Sequence, residues 1–381
     1  MKLERNAQPG RRAQLGPWAM AGVLATMWAI LAVLPATGDR FLTQGNLASL
    51  MAQSAVLLVV SVGMTLAILI RGIDLSVGAG VALTGVIAGL AHAKLGLPVP
   101  LAIGAALAAG ALIGAWHGLW VGWLGVPAFI VTLAGFESYR GGALLLAHSR
   151  SVPMDDFQAL DRPLPPGVTW ALVIAVLAIG VALTLREATR RKQLGLAPIT
   201  TSQVALRLGG QGLLAGIVLA IYGGRGMPVL VAVACAIALG GVFVTRRTRF
   251  GRHLYAIGGN PEAARLSGID VKRVTLWVYV ILGVLTAAAG VLAGARTDDV
   301  TPGSQGNLLE LNAVTAVVIG GTSLSGGRGS VAGTVLGTLV FGTVANGMNL
   351  LGIDSDWQWV CTGMILLVAA LVDVLSKGKR S

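Results

Sequence analysis

Residues Thr245 to Arg273 read TRRTRFGRHLYAIGGNPEAARLSGIDVKR and lie between two long apolar runs. The segment holds Arg246, Arg247, Arg249, Arg252, Arg265, Lys272 and Arg273 against Glu262 and Asp270. Short basic connections between apolar runs belong to the cytoplasmic side of a membrane protein, where Lys and Arg are retained. A small helix is predicted inside this loop, with both ends marked. Asn260 offers a side-chain oxygen to orphan first-turn N–H groups. Pro261 follows where its missing N–H costs nothing, and Glu262 complements the helix dipole. Ala263, Ala264 and Leu266 favour helix, and Gly268 suits a left-handed stop. Gly258 and Gly259 are expected to turn the chain beforehand. The segment reads either as a defined helix held just outside the membrane or as a basic anchor for anionic headgroups.

The rest of the chain agrees with a membrane setting. Of 381 residues, 55% are hydrophobic and 12% charged, and the mean hydropathy is +0.79. A soluble domain carries about 25% charged residues. The 54 glycines show no collagen period and fit helices that pack closely in a bilayer. The expected fold is all-α, a polytopic helical membrane protein. The net charge of +12 sits largely in short loops and at the termini, so it sets orientation. It does not imply a nucleic-acid partner, for which the apolar runs leave little polar surface. Cys235 and Cys361 fall inside apolar runs and are expected to be buried free thiols.

The N-terminal tail, residues 1–16, is basic and is expected in the cytoplasm. Pro17 to Pro35 is the first apolar run. It resembles a signal peptide in having a basic head, but Pro35 to Arg40 is a poor cleavage site, so it reads as an uncleaved span. Further runs cover Gln44 to Ile70, Leu75 to Ala93, Val99 to Leu124, Pro127 to His148 and Val168 to Leu185. Others cover Gln203 to Tyr222, Met227 to Val244, Val274 to Ala295 and Trp357 to Leu375. Trp116, Trp120 and Trp123 suit an interfacial belt. Arg186 to Lys192 reads as a basic inner loop, and 376–381 as a basic inner tail. Both termini inside implies an even number of crossings, about ten to twelve. The whole of 17–375 reads as one transmembrane domain, with 245–273 its main cytoplasmic loop.

Polar residues inside the runs are the candidate working groups. Arg71 and Asp74 are expensive at membrane depth unless paired or facing a cavity. Asp74 reads equally as the cap of a helix starting at Leu75 or as part of a pathway. Glu137 and Arg140, three apart on one helix face, either pair with each other or line a path. Ala313 to Ile319 is too short to span, which needs about 20 residues. A short or re-entrant helix is expected there, with Glu310 and Asn312 at its start. Gly329, Gly333 and Gly337 recur every fourth residue and predict a smooth packing face. The loops 149–167 and 296–306 carry Asp155, Asp156, Asp161, Asp298 and Asp299 and are expected outside.

Enzymatic signatures are missing. The chain has no G-x-x-x-x-G-K-[ST] phosphate loop. His92, His117, His148 and His253 show no ligand spacing, so no metal or cofactor is expected.

The run FGRHLYAIGGNPEAARLSGIDVKR resembles the cytoplasmic coupling loop of sugar permeases in bacterial ABC importers of the ribose/xylose type. GIDLSVG at 72–78 and GGTSLSGGRGS at 320–330 are similar to segments of the same family, and the resemblance covers most of the chain. It implies a permease subunit in the bacterial inner membrane that hydrolyses no ATP itself. Its implied partners are a separate ATP-binding subunit, a periplasmic sugar-binding protein, a second permease copy, membrane lipid and a monosaccharide. Asn260, Pro261, Glu262, Ala263, Ala264, Arg265, Leu266 and Gly268 would form the helix that docks on the ATPase. For a neutral sugar the path needs hydrogen-bonding groups, for which Asp74, Glu310, Asn312, Thr315 and Asn346 are the candidates. Two rival readings stand beside this one. One is a secondary transporter using Asp74, Glu137 or Glu310 as an ion site. The other is a permease for branched-chain amino acids.

Overall fold

The computed structural model describes residues 17–195 and 200–377. The basic tail at 1–16 and residues 378–381 of the C-terminal tail lie outside the described residues. The chain runs through α1 (Pro17–Val33), α2 (Gly38–Phe41), α3 (Gln44–Leu69), α4 (Val77–Ala93), α5 (Val99–Gly122) and α6 (Ala128–Leu146). After β1 (Val152–Pro153) and a 3-10 turn (Asp155–Leu160) come α7 (Pro166–Gln193), α8 (Thr201–Tyr222) and α9 (Val229–Arg247). Then follow α10 (Arg249–Gly259), α11 (Pro261–Leu266), α12 (Val271–Thr297), β2 (Asp299–Val300), α13 (Leu309–Ile319), α14 (Val331–Leu350) and α15 (Ser355–Lys377). Seven of the described helices are long and apolar enough to cross a bilayer, and shorter apolar ones accompany them. The chain is a polytopic all-helical membrane protein.

Local chemistry sets many of the helix starts. Thr43 accepts from the Asn46 N–H, Thr248 from Gly251 and Ser330 from Gly333. Thr200 and Gln203 form a reciprocal capping box. Prolines 98, 127 and 228 stand at the N-caps of α5, α6 and α9.

Burial separates an inner layer from an outer one. The most apolar window of α3 is 83% buried within the chain, whereas those of α7 and α8 are 11% and 6% buried. The α7–α8 pair therefore turns leucines such as Leu206, Leu213 and Leu214 outward, as a lipid-facing hairpin does. Cys235 is exposed and Cys361 half-exposed on the bundle surface, so neither thiol is buried inside the protein as expected. An apolar run says that a residue sits among hydrocarbon, not which side of its helix meets protein.

Backbone-to-backbone packing holds the centre. Gly110, Gly114, Gly118 and Gly122 line one side of α5, four residues apart, directly against α12. A Cβ on Gly110 would overlap the Gly283 carbonyl, and one on Gly114 the Tyr279 carbonyl. The predicted glycine face at 329–337 is present in part. Gly333 and Gly337 press α14 onto the backbone of Gly320 and Ala316 at the end of α13. Gly329 precedes α14 with φ +143 and lies against Thr322 instead.

Two loop regions differ from expectation. Arg186 to Lys192 is not a loop. Helix α7 continues through it, and Glu187 meets both Arg191, one turn on, and Arg207 of α8. The segment 245–273 holds two helices rather than one, and Gly258 and Gly259 end α10 instead of forming a turn.

Opposite ends of the bundle carry different chemistry. At one end β1 pairs antiparallel with β2, His92 meets Asp156 at 2.7 Å, and Ser151 donates to Asp299. The strand pair and the Ser151–Asp299 bond join 149–167 to 296–306, the two loops expected on one side, and His92 ties the first of them to α4. At the other end lie α10, α11 and the segment 320–330.

Candidate functional site

The basic end is built around Asn260, which ends α10 and begins α11. Its side-chain oxygen accepts from the N–H groups of Glu262 and Ala263, both at 3.0 Å. Arg265 donates to Glu262 at 2.6 Å and, through that bond, holds the Glu262 carboxyl below the usual carboxylate range. Gly268 closes the unit in the left-handed region at φ +82. Of α11 only Ala264 is buried; Glu262, Ala263 and Arg265 are exposed, and Leu266 is 78% exposed. Such a short helix is not stable by propensity alone, so its caps and its seat fix it, and its outer face is free to touch something else.

The seat is α10, which buries Gly251, Leu254, Ile257 and Gly258 on one side and exposes Arg249 and Arg252. A Cβ on Gly258 would overlap the Leu69 carbonyl and the Gly327 N–H. Arg71 reaches across from the α3–α4 break. It donates through Nε to the Gly258 carbonyl at 2.9 Å and through an Nη to the Gly259 carbonyl at 2.8 Å. These are C-terminal carbonyls of α10, where a cation also meets the negative end of the helix dipole. The Gly327 N–H donates to the Leu69 carbonyl at 2.9 Å, and the Tyr255 hydroxyl to the Gly329 carbonyl at 3.0 Å. Helices α10 and α11 are thus pinned both to the α3–α4 break and to the α13–α14 connection.

Asp74 sits in the same α3–α4 break and is buried. It does not cap a helix at Leu75; α4 begins at Val77 with Ser76 as N-cap. Asp74 accepts from the Ser76 N–H at 2.8 Å and the Ser76 hydroxyl at 2.6 Å. Its other oxygen takes the Nδ1 proton of buried His117 at 3.3 Å, while Tyr139 donates to His117 Nε2 at 2.8 Å. That proton placement follows from the bond network. The chain Ser76–Asp74–His117–Tyr139 ties α4, α5 and α6 together. Scattered histidines in the sequence carry no sign of this, because the pairing exists only once α5 lies beside the break.

The predicted Glu137–Arg140 pair does not form. Arg140 donates to the carbonyls of Pro302 and Gln305 at 2.7 and 2.8 Å and to the Asn307 side chain at 3.0 Å. The segment 301–308 leads down from β2 to α13, and at Gly306 it touches Gly78 in the first turn of α4. Irregular backbone inside a bilayer leaves carbonyls without partners at several kcal/mol each. A helix-surface ion pair yields about 0.2–0.5 kcal/mol, so the carbonyls win Arg140. Glu137 is left exposed near the middle of α6.

The other path candidates separate. Helix α13 has 11 residues, about 16 Å at 1.5 Å per residue, so it is the expected short helix. Glu310 in its first turn is buried with one oxygen unpartnered and lies against Gly78. Thr315 bonds back to the Leu311 carbonyl of its own helix. Asn346 and Asn46 exchange two amide bonds, at 2.8 and 3.0 Å, which lock α14 to α3. Asn346→Ala is expected to lower the melting temperature of the purified protein, since a buried amide loses its partner at about 1–3 kcal/mol. The affinity for transported substrate is expected to stay unchanged. A raised half-saturation concentration with unchanged melting would place Asn346 on the path instead. Asn312 faces a cavity of about 360 Å³ that also touches Gln53, Ser54, Arg296, Asn307 and Phe341.

Comparison with known proteins puts this arrangement in a family. The chain is 40% identical to the xylose transport system permease protein of Escherichia coli (strain K12), over 93% of this chain and 91% of that one. It is 37% identical to the xylose transport system permease protein of Haemophilus influenzae, over 97% and 99%. It is 33% identical to the ribose import permease protein of Escherichia coli (strain K12), over 96% and 97%. No solved structure matches. Residues 46–370 match the family described as branched-chain amino acid transport system / permease component, and with relatives this similar along nearly its whole length the chain belongs to that family of membrane permeases.

Proposed function

We propose that this chain is the permease subunit of an ATP-driven importer that carries a monosaccharide, xylose first, across the bacterial inner membrane. ATP is hydrolysed by a separate ATP-binding subunit, which docks on the exposed side of α11. The observation that carries the reading is the α10–α11 unit: capped at both ends, exposing Glu262, Ala263, Arg265 and Leu266, and pinned through Arg71 to the break beside Asp74. A push on α11 then reaches two membrane breaks at once. The similarity to xylose and ribose permeases supports the substrate class.

With Thr245 to Arg273 in the cytoplasm, both termini lie there too, and the acidic loops face the periplasm, where a sugar-binding protein delivers its load. A second permease copy completes the path. Exposed Glu137 supports this, because a carboxylate facing lipid at the centre of a helix costs about 2.5–3.5 kcal/mol, whereas a partner or a watery path avoids that cost. The α7–α8 hairpin meets lipid. Asp74, Glu310, Asn312 and Thr315 remain the path candidates, whereas Asn346 serves the lock between α14 and α3.

The test reconstitutes the chain with its ATP-binding subunit and binding protein in vesicles. Glu262→Ala, or removal of Ala263 to Leu266, is expected to separate ATP hydrolysis from D-xylose uptake while membrane insertion survives. Full-rate uptake in the deletion sinks the docking role. Uptake driven by a proton or sodium gradient with no ATPase present favours a secondary transporter. Competition by L-leucine but not D-xylose favours the amino-acid reading.

A further inference from the structure

The cavity beside Asn312 lies where the membrane fold is interrupted. It is bounded by α3, α4, α12, α14 and the irregular segment that enters α13. Its volume of about 360 Å³ is within the range of about 300–1,000 Å³ that small-molecule pockets occupy. Broken helices at membrane depth are a recurring place for transporter binding sites, because unpaired backbone and side-chain groups are exposed to the ligand there.

The lining holds polar atoms with nothing to bond. Ser54 is only 4% exposed, and its hydroxyl has no partner. The Asn312 side-chain oxygen is likewise enclosed and unpartnered. Leaving such groups dry costs about 1–3 kcal/mol each, a cost that a hydroxylated ligand removes. Gln53 and Asn307 add donors and acceptors at the same cavity.

Charge narrows the ligand class. Among the described residues, Arg296 is the one ionised side chain lining the cavity, and no carboxylate lines it. Glu310, close by in sequence, is turned against Gly78. A zwitterionic amino acid would find Arg296 for its carboxylate and no lining carboxylate for its ammonium, whose desolvation is then uncompensated by an ion pair. A neutral polyol needs no ionic partner. Its hydroxyls would meet Gln53, Asn307 and Arg296 at the lining, and its C–H face would meet Phe341. Ser54 and Asn312 join them once a side-chain rotation turns their enclosed oxygens into the cavity.

We propose that this cavity is a sugar-binding site belonging to the permease itself, selective for neutral polyhydroxylated molecules over amino acids. The proposal rests on the importer reading above and adds a station that the permease supplies within one subunit.

The experiment uses the full chain assembled with its ATP-binding subunit in vesicles, with Cys235→Ser and Cys361→Ser as background and Asn312→Cys as the probe. A membrane-impermeant methanethiosulfonate is added from the side of the acidic loops. Labelling is expected, and D-xylose or another aldopentose or aldohexose is expected to slow it at least threefold, whereas L-leucine leaves the rate unchanged. Gln53→Cys, at the exposed rim, is read in the same way if Asn312→Cys fails to assemble. No labelling, or labelling that no sugar slows, overturns the site, and protection by L-leucine overturns its selectivity. ATP-driven sugar uptake is measured in parallel on the parent importer. Uptake without protection removes this cavity alone; absent uptake removes the importer reading.

Discussion

Arg71→Gly is expected to cut ATP-driven uptake by tenfold or more while the chain still inserts and still binds its ATP-binding subunit. Arg71 holds φ +68, a conformation that costs a non-glycine residue about 1–2 kcal/mol. Glycine adopts it freely, so this substitution keeps the backbone and removes the side chain, the guanidinium together with the stem that lies beside Gly326. What disappears is the pair of bonds to the Gly258 and Gly259 carbonyls. Charge-assisted bonds are worth about 1.5–3 kcal/mol each when sheltered and less where solvent reaches them, as it does here. A coupling free energy of about 1–3 kcal/mol corresponds to a factor of about 5–150, so losing the clamp accounts for the expected fall. Lysine carries the charge but has no planar fork to bridge two carbonyls, so Arg71→Lys is expected to recover only part of the uptake. Parallel measurement of ATP hydrolysis and uptake in vesicles decides the matter. Continued hydrolysis with lost uptake supports the clamp; full uptake in Arg71→Gly removes it.

Gly283→Val is expected to destroy the fold. Gly283 faces Gly110 with no side chain between the helices, and any Cβ there would overlap the Gly110 carbonyl. The obstacle is backbone of a neighbouring helix, which cannot rotate aside as a side chain can. Overpacking a close-packed site costs about 1–3 kcal/mol and more when the backbone must move, and the α5–α12 seam has four glycines in register to disturb. Gly209→Val on α8 is the matched control, because nothing lies within 4 Å of a Cβ built there. Gel filtration and thermal melting of the two detergent-purified variants are expected to show aggregated or sharply destabilised protein for the first and parent-like protein for the second. Equal melting of the two would mean that the seam is looser than its geometry.

Much of the architecture can be read along the chain because its causes are local or periodic. An apolar run long enough for the bilayer marks a span without knowledge of its neighbours. Asn260, Pro261, Glu262 and Gly268 mark the ends of α11 because caps act over three or four residues. The short stretch at Ala313 to Ile319 reveals a broken helix by length alone.

Other features depend on which helices become neighbours, and only the folded chain decides them. Arg140 leaves Glu137, the partner that helical spacing offers, for the carbonyls of Pro302 and Gln305. Asp74 finds His117, and Arg71 finds the end of α10, across gaps of many residues. The glycines of α5 matter because α12 lies on them, whereas equally spaced glycines elsewhere face lipid. In hydrocarbon every unsatisfied polar group is costly, so these pairings are settled by who stands within hydrogen-bond reach, and that is a property of three dimensions rather than of spacing.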